Sequence, residues 1–373
     1  MIAIRSNRVC TFAAVVFTIS LQGAPNAFSQ QASAVNRGVV ELESATANGI
    51  SVRIAEDLAS IVDDGATRRV VPVVGKGALQ NLVDLKYLRG IDMAIVQTDV
   101  LDYAKEQRLI PGIDASLTYI TKLYNEEFHL LARPEVNNIG DLAGKTVNVD
   151  VLGSGTAITA SRIFEFLQLK PNLVHDHLDI ALEKLRKGDI AALAFVAGKP
   201  APIFASLSRD DGLHFINIPF SAPIANTYVP AKLTANDYRF LINQDRPIDT
   251  VAVGTVLAVA DLRLVPERNR NVATFVDRFF TGFQTLLSPG YHPKWQEVNL
   301  AAEVPGWRRY APADQWIQKN LQVTPAPKPD EMIAMFSRFI DQRRQAIGQA
   351  PMSEAQKNEL FEQFRAWQSG QAK

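Results

Sequence analysis

Leu88-Arg89-Gly90-Ile91-Asp92-Met93-Ala94-Ile95-Val96 ends a helix at a glycine and enters an apolar strand. Arg186-Lys187-Gly188-Asp189-Ile190-Ala191-Ala192-Leu193-Ala194-Phe195-Val196 repeats that plan. Each copy is preceded by a strand, a loop of small residues and an amphipathic helix. In the first these are Val39 to Ser44 and Ala45-Thr46-Ala47-Asn48-Gly49, and in the second Val147 to Val151 and Gly153-Ser154-Gly155-Thr156. The pattern predicts an α/β protein of two facing lobes. Open α/β sheets bind ligands at the carboxyl ends of their strands, so two such lobes form a clamp for a small molecule.

Working outward, Ile54, Leu58, Ile61 and Val62 follow helical spacing up to Asp63-Asp64-Gly65, and Val70 to Val74 reads as a strand. Gly75-Lys76-Gly77 turns into a helix with Leu79, Leu82 and Val83, so the first lobe reads β-α-β-α-β. Leu117 to Leu123 and Phe128 to Ala132 read as extended, with a crossing between lobes near 120–130. The run Val251 to Val259 reads as a buried strand returning to the first lobe. Between 269 and 287, Val272, Phe275, Val276, Phe279, Phe280 and Phe283 form a wide apolar helix face, a core signal. Thr324-Pro325-Ala326-Pro327-Lys328-Pro329 reads as a stiff linker into an amphipathic helical tail.

The composition is 47% hydrophobic and 21% charged, with 39 basic and 39 acidic residues, so no global field points to nucleic acid or an anionic membrane. Arg5 and Arg8 precede an apolar run from Val9 to Leu21, followed by the small-x-small sites Ala27-Phe28-Ser29 and Ala32-Ser33-Ala34. This is the pattern of a secretory signal peptide spanning 1–34, cleaved after Ser29 or Ala34. A membrane anchor is the competing reading, but thirteen helical residues cover only about 20 Å of a roughly 30 Å hydrocarbon layer. Cleavage removes Arg5, Arg8 and Cys10, the only cysteine, and leaves 37 basic against 39 acidic residues. Thiol nucleophiles, thiolate zinc sites and disulfides are then excluded from the mature chain.

Gly153-Ser154-Gly155-Thr156 opens a helix directly after a strand, which fits either an anion cradle or a simple N-cap. It has neither the Gly-Lys-Ser/Thr of a phosphate loop nor dinucleotide-site spacing. Gln97-Thr98-Asp99 stands at a strand's carboxyl end, as a ligand rim or as a helix cap. Lys76 and Lys199 follow corresponding strands, as anchors for an anionic group or as solvent-facing lysines. His175-Asp176-His177 reads as an exposed turn rather than a metal site. No G-x-S-x-G elbow, HExxH helix or carboxylate pair marks an enzyme, and no cofactor is implied.

Several segments together resemble the TAXI group of solute receptors for TRAP transporters. They are Gly90 to Val100, Leu123-Tyr124-Asn125-Glu126-Glu127-Phe128-His129, Asp141-Leu142-Ala143-Gly144-Lys145-Thr146-Val147, Gly153 to Thr156, Gly198-Lys199-Pro200-Ala201-Pro202 and Tyr228-Val229-Pro230. The resemblance runs from about residue 39 to 310. It implies a type II periplasmic binding protein that closes on a small carboxylate or amino acid and delivers it to TRAP membrane subunits. By motif it implies Gln97, Thr98 and Asp99 at the first-lobe rim, Gly153, Ser154, Gly155 and Thr156 capping the ligand, and Tyr124 and Glu126 near the hinge. Thr46, Asn48, Lys76 and Lys199 complete the expected ligand set. The loop Ala45 to Val52 lacks the tyrosine usual in the group, and Lys76 replaces a small residue, which implies a shifted preference toward a more anionic solute.

The expected organisation is a first lobe of 35–122 plus 246–323, a second lobe of 123–245, and a linker and tail at 324–373. The expected function is a periplasmic solute receptor without catalytic activity. The competing functions are an exported enzyme using acids such as Asp99 or Glu126, and a sensing subunit that acts through protein contacts of its tail.

Overall fold

A computed structural model describes residues 38–45, 49–208 and 211–321, together with shorter pieces within 333–361. The expected signal peptide over 1–34, Thr46, Asn48 and the expected linker over 324–329 fall outside the described residues.

The first half alternates β1 (Val39–Ser44), α1 (Ser51–Val62), β2 (Arg69–Val74), α2 (Ala78–Tyr87), β3 (Met93–Gln97) and α3 (Thr98–Glu106). After the short α4 (Ile113–Ser116) comes β4 (Leu117–Ala132), a single strand of 16 residues. The second half repeats the scheme with β5 (Thr146–Asn148), α5 (Gly155–Phe166), β6 (Asn172–Val174), α6 (Leu178–Lys187) and β7 (Ala192–Ala197). Then follow α7 (Pro202–Ala205), β8 (His214–Phe215), α8 (Ala222–Ala225), β9 (Val229–Leu233), β10 (Ile248–Ala260), α9 (Pro266–Leu286) and α10 (Ala311–Asn320).

The strands form one sheet in the order β2-β1-β3-β10-β4-β7-β5-β6, with β8 beside β4 and β9 beside β10. In each half the first strand lies between the second and third and runs parallel to both. That order creates a topological switch point at the carboxyl ends of β1 and β3, and another at those of β5 and β7. Both halves share β4 and β10, which run antiparallel from Leu117 against Ala260 to Glu127 against Ala252.

The repeated plan has a local cause. Gly188, at φ 87°, caps α6 in the left-handed region that L side chains rarely adopt. By contrast α2 ends at Tyr87 with extended Leu88 as its cap, and Gly90, at φ 111°, serves the turn before β3 rather than the helix end. Along β7, Ala192, Ala194 and Val196 join one apolar cluster while Leu193, Phe195 and Ala197 join another on the opposite face. A central strand covered on both faces is therefore apolar at every position. The first half has its own cluster, in which Val272, Phe275 and Phe279 of α9 meet Leu42 of β1 and Leu58 of α1. Phe279 also packs edge-on against the buried Trp295 at 5.9 Å. Burying each such ring stabilises by roughly 1.5–3 kcal/mol.

Two sequence-based boundaries change. The two extended stretches expected on either side of residue 125 are one continuous strand, because Asn125, Glu126 and Glu127 pair across the sheet while their side chains find polar partners. The strand expected over 147–151 ends at Asn148, since Asp150 has φ 63° and turns the chain toward α5. In the tail, described residues of 333–341 and 354–361 are helical, with Phe336 against Phe361 at 5.4 Å and Lys357 bonded to Asp341. Among the described residues no helix is long and apolar enough to cross a membrane.

Candidate functional site

The carboxyl ends of β1, β3, β5 and β7 lead to one place. Ala45, Gln97, Asp150 and Val196, at or just past those ends, line a single cavity of about 30 Å³. Its wall is completed by Glu126 of β4 and by the starts of α1 at Ser51, α2 at Ala78 and α5 at Ser154 and Gly155. Each helix start carries backbone N–H groups without an intrahelical partner and a positive end potential. No side chain caps α1 or α2, whereas Ser154 Oγ accepts from the Ala157 N–H at 3.1 Å. The volume holds about two water molecules, so a solute enters only as the walls part.

Gln97 is the centre of the cavity. Its Nε2 donates to Glu126 Oε2 at 2.6 Å, and its Oε1, although buried, has no partner among the described residues. The amide lies flat on Gly155, where an added Cβ would stand 1.4 Å from Gln97 Oε1. The Tyr124 hydroxyl donates to Glu126 Oε1 at 3.4 Å from behind. Burial pushes the Glu126 carboxyl up to about 7, with Glu127 adding to the rise and the Gln97 bond, Lys294 and Tyr124 opposing it. Burial also raises Asp150, against hydrogen bonds from Val151 and Ser154.

Around this centre the two halves touch through polar pairs. Asp99 Oδ2 on α3 accepts from Thr159 Oγ1 of α5 at 2.6 Å and from the Tyr228 hydroxyl at 2.9 Å. Burial raises Asp99 to about 6, while those two bonds and Arg162 pull it down. Arg162 of α5 reaches Glu106 of α3 at 2.7 Å. The Leu79 N–H donates to the Gly153 carbonyl at 3.3 Å, and bare Gly77 abuts Ser154. At the base of the cleft, Lys294 Nζ bonds Glu127 Oε1 at 2.7 Å, and Glu127 Oε2 accepts the Lys199 N–H at 3.0 Å.

Of the expected ligand residues, Gln97, Glu126, Ser154, Gly155 and Thr156 line the cavity. Ser154 is also the helix cap, and Thr156 Oγ1 accepts the Val196 N–H at 3.0 Å, tying α5 to β7. Gly153 lies at the rim, Tyr124 stands behind Glu126, and Thr98 faces a separate recess beside Lys122 and Trp307. Asp99 joins the two halves rather than facing the cavity. Lys76 is exposed and makes no ion pair among the described residues. Lys199 Nζ is engaged by the Lys232 carbonyl at 2.6 Å and Asp237 at 3.1 Å, beside a recess of about 1020 Å³ built from the second half and β10. No lysine or arginine lines the cavity. Sequence reading missed Ser51, Asp150 and Phe195, although Asp150 follows β5 much as Gln97 ends β3, and that positional signal was available.

Residues 44–263, more than half of the chain, match the family model described as the NMT1-like family. The chain belongs to the NMT1-like family. Among solved structures, this NMT1-like chain is similar to the periplasmic binding protein BugD, at 10% identity over 70% of this chain and 88% of that one, with a TM-score of 0.45. It is similar to the alkanesulfonate-binding protein SsuA from Xanthomonas axonopodis pv. citri bound to MOPS, at 13% identity over 72% and 86%, TM-score 0.40. A third is the effector-binding domain of QuiR in complex with shikimate, at 11% identity over 65% and 96%, TM-score 0.38.

Proposed function

We propose that this protein is an exported, periplasmic receptor that traps one small carboxylate or amino acid between two lobes and hands it to TRAP-type membrane subunits. The lobes are 35–122 plus 246–323 and 123–245, joined through β4 and β10. The observation that carries the reading is the convergence of four strand ends and three helix starts on the Gln97–Glu126–Gly155 cavity. The positive elements available to a carboxylate are the three helix starts, of which α1 and α2 carry no side-chain cap, in place of Lys76 or Lys199. Glu126, Asp150 and the unpartnered Gln97 Oε1 favour a solute that brings N–H donors, so an amino acid fits this lining better than a plain dicarboxylate.

Calorimetric titration of solute-stripped protein with matched pairs, an amino acid and the same skeleton without its amine, tests this. Saturable one-to-one binding with recovery of unaltered solute supports a receptor. Consumption of the solute moves the protein to the enzyme class, with Glu126 as its acid. Absence of binding across small acids, amino acids and neutral solutes refutes the reading.

A further inference from the structure

Beneath the Gly75-Lys76-Gly77 turn, outside the solute cavity, three oxygen-bearing side chains face one another. Asn81 is fully buried, and its Nδ2 donates to the Ser44 carbonyl at 2.9 Å. That bond fixes the amide's orientation, because a flip would press Oδ1 against the carbonyl oxygen. Asn81 Oδ1 is thereby turned toward Glu43 and has no partner among the described residues. Glu43 is 4% exposed, and its Oε2 is equally without a partner. A Cβ at Gly75 would stand 2.3 Å from Asn81 Oδ1 and 2.9 Å from Glu43 Oε1, so both oxygens crowd the bare face of that glycine. Asp84, three residues beyond Asn81 on the same helix face, brings a second carboxylate within hydrogen-bond reach of Glu43, and its Oδ1 also accepts from Gln80 Nε2 at 2.8 Å.

Acceptor facing acceptor in a buried place leaves the desolvation of each unpaired group uncompensated, and like charges add to that cost. A positive species between them removes both costs. We propose that Glu43, Asn81 and Asp84 hold one hard, oxygen-seeking cation of the Ca²⁺ or Na⁺ kind, completed by solvent on the half-exposed Asp84 side. Two carboxylates and an amide oxygen are the donors such ions take, and the set lacks the nitrogen or sulfur a transition metal prefers. Burial and the Asp84 charge raise the Glu43 carboxyl to about 7, a strain that a bound cation relieves. The site braces Gly77, which meets Ser154 across the cleft, so cation occupancy firms the rim the solute passes. This inference stands independently of the solute's identity.

The test is thermal unfolding of the purified protein at pH 8 in KCl of fixed ionic strength, with CaCl₂, NaCl or MgCl₂ substituted in turn. Ca²⁺ or Na⁺ is expected to raise the midpoint with the logarithm of concentration, by about 4 °C at a hundredfold excess over Kd. Glu43→Gln should abolish that rise while leaving the midpoint in KCl unchanged or higher. Should Glu43→Gln fail to fold, Asp84→Asn at the half-exposed end must abolish the rise in its place. The proposal falls if no cation separates from KCl, the expected behaviour of a carboxyl pair that simply shares a proton. It also falls if the rise survives in the folded variant.

Discussion

Tyr228→Phe removes one hydroxyl and nothing else from the contact between the two halves. The ring stays within its apolar cluster, while Asp99 Oδ2 loses the donor now at 2.9 Å and keeps Thr159 at 2.6 Å. Asp99 is fully buried, so water cannot take the lost donor's place without the halves separating. A hydrogen bond to a charged acceptor contributes about 1.5–3 kcal/mol, which shifts the closed-to-open ratio by about tenfold to 150-fold at a pH above 6, where Asp99 is ionised. The assay is a spin-label distance measurement with labels at exposed Arg89 and Lys187, one on each half. Cys10 is the chain's sole cysteine, so protein produced from residue 35 onward carries only the two introduced thiols. Solute-free wild type should show a population at the closed distance that collapses in Tyr228→Phe and returns at saturating solute. An unchanged distance distribution in a folded Tyr228→Phe protein would refute the idea that Asp99 latches the halves.

Other outcomes follow from the same geometry. Gly155→Ala drives a methyl into Gln97 Oε1 and breaks the Gln97–Glu126 bond, so solute affinity should fall at least tenfold by calorimetry while the fold, judged by circular dichroism, persists. Glu126, raised to about 7 by burial, favours the folded protein most below its unfolded value near 4, and that contribution is lost as pH rises through 7. Solute-free protein should therefore be more stable at pH 5 than at pH 8, by on the order of 3 kcal/mol from this group, and Glu126→Gln should reduce the difference by that share while Glu43 and Asp99 keep the remainder. An amine-bearing solute should show the opposite trend, binding about tenfold more weakly for each pH unit below 7. Phe279→Ala in the α9 core should cost about 3–5 kcal/mol by denaturant unfolding without altering solute selectivity.

The doubled β-α-β-α-β plan was legible because its signals are local: a glycine at positive φ, then an apolar run, in both Gly90 and Gly188 segments. The cavity wall at Gln97 and Ser154 to Thr156 was legible from position alone, since strand carboxyl ends and helix starts meet at a switch point. The continuity of β4 was not. Glu126 and Glu127 read as an interruption until Gln97 and Lys294 satisfy them, the latter from 167 residues away. Asp99 was misleading for the same reason, because its donors Thr159 and Tyr228 lie 60 and 129 residues along the chain. Lysines after strands look alike in sequence, and only the fold separates exposed Lys76 from Lys199, which Asp237 holds.

The central claim is that this chain holds a solute between its halves and releases it unaltered. Denaturing mass spectrometry of small molecules retained by natively purified protein tests it most directly. The account predicts a single small acid bearing an amine, close to one per chain, which the stripped protein rebinds with a rise in melting temperature. Recovery of a chemically converted product, or of no molecule from a protein whose melting responds to none of the solutes tried, would contradict it.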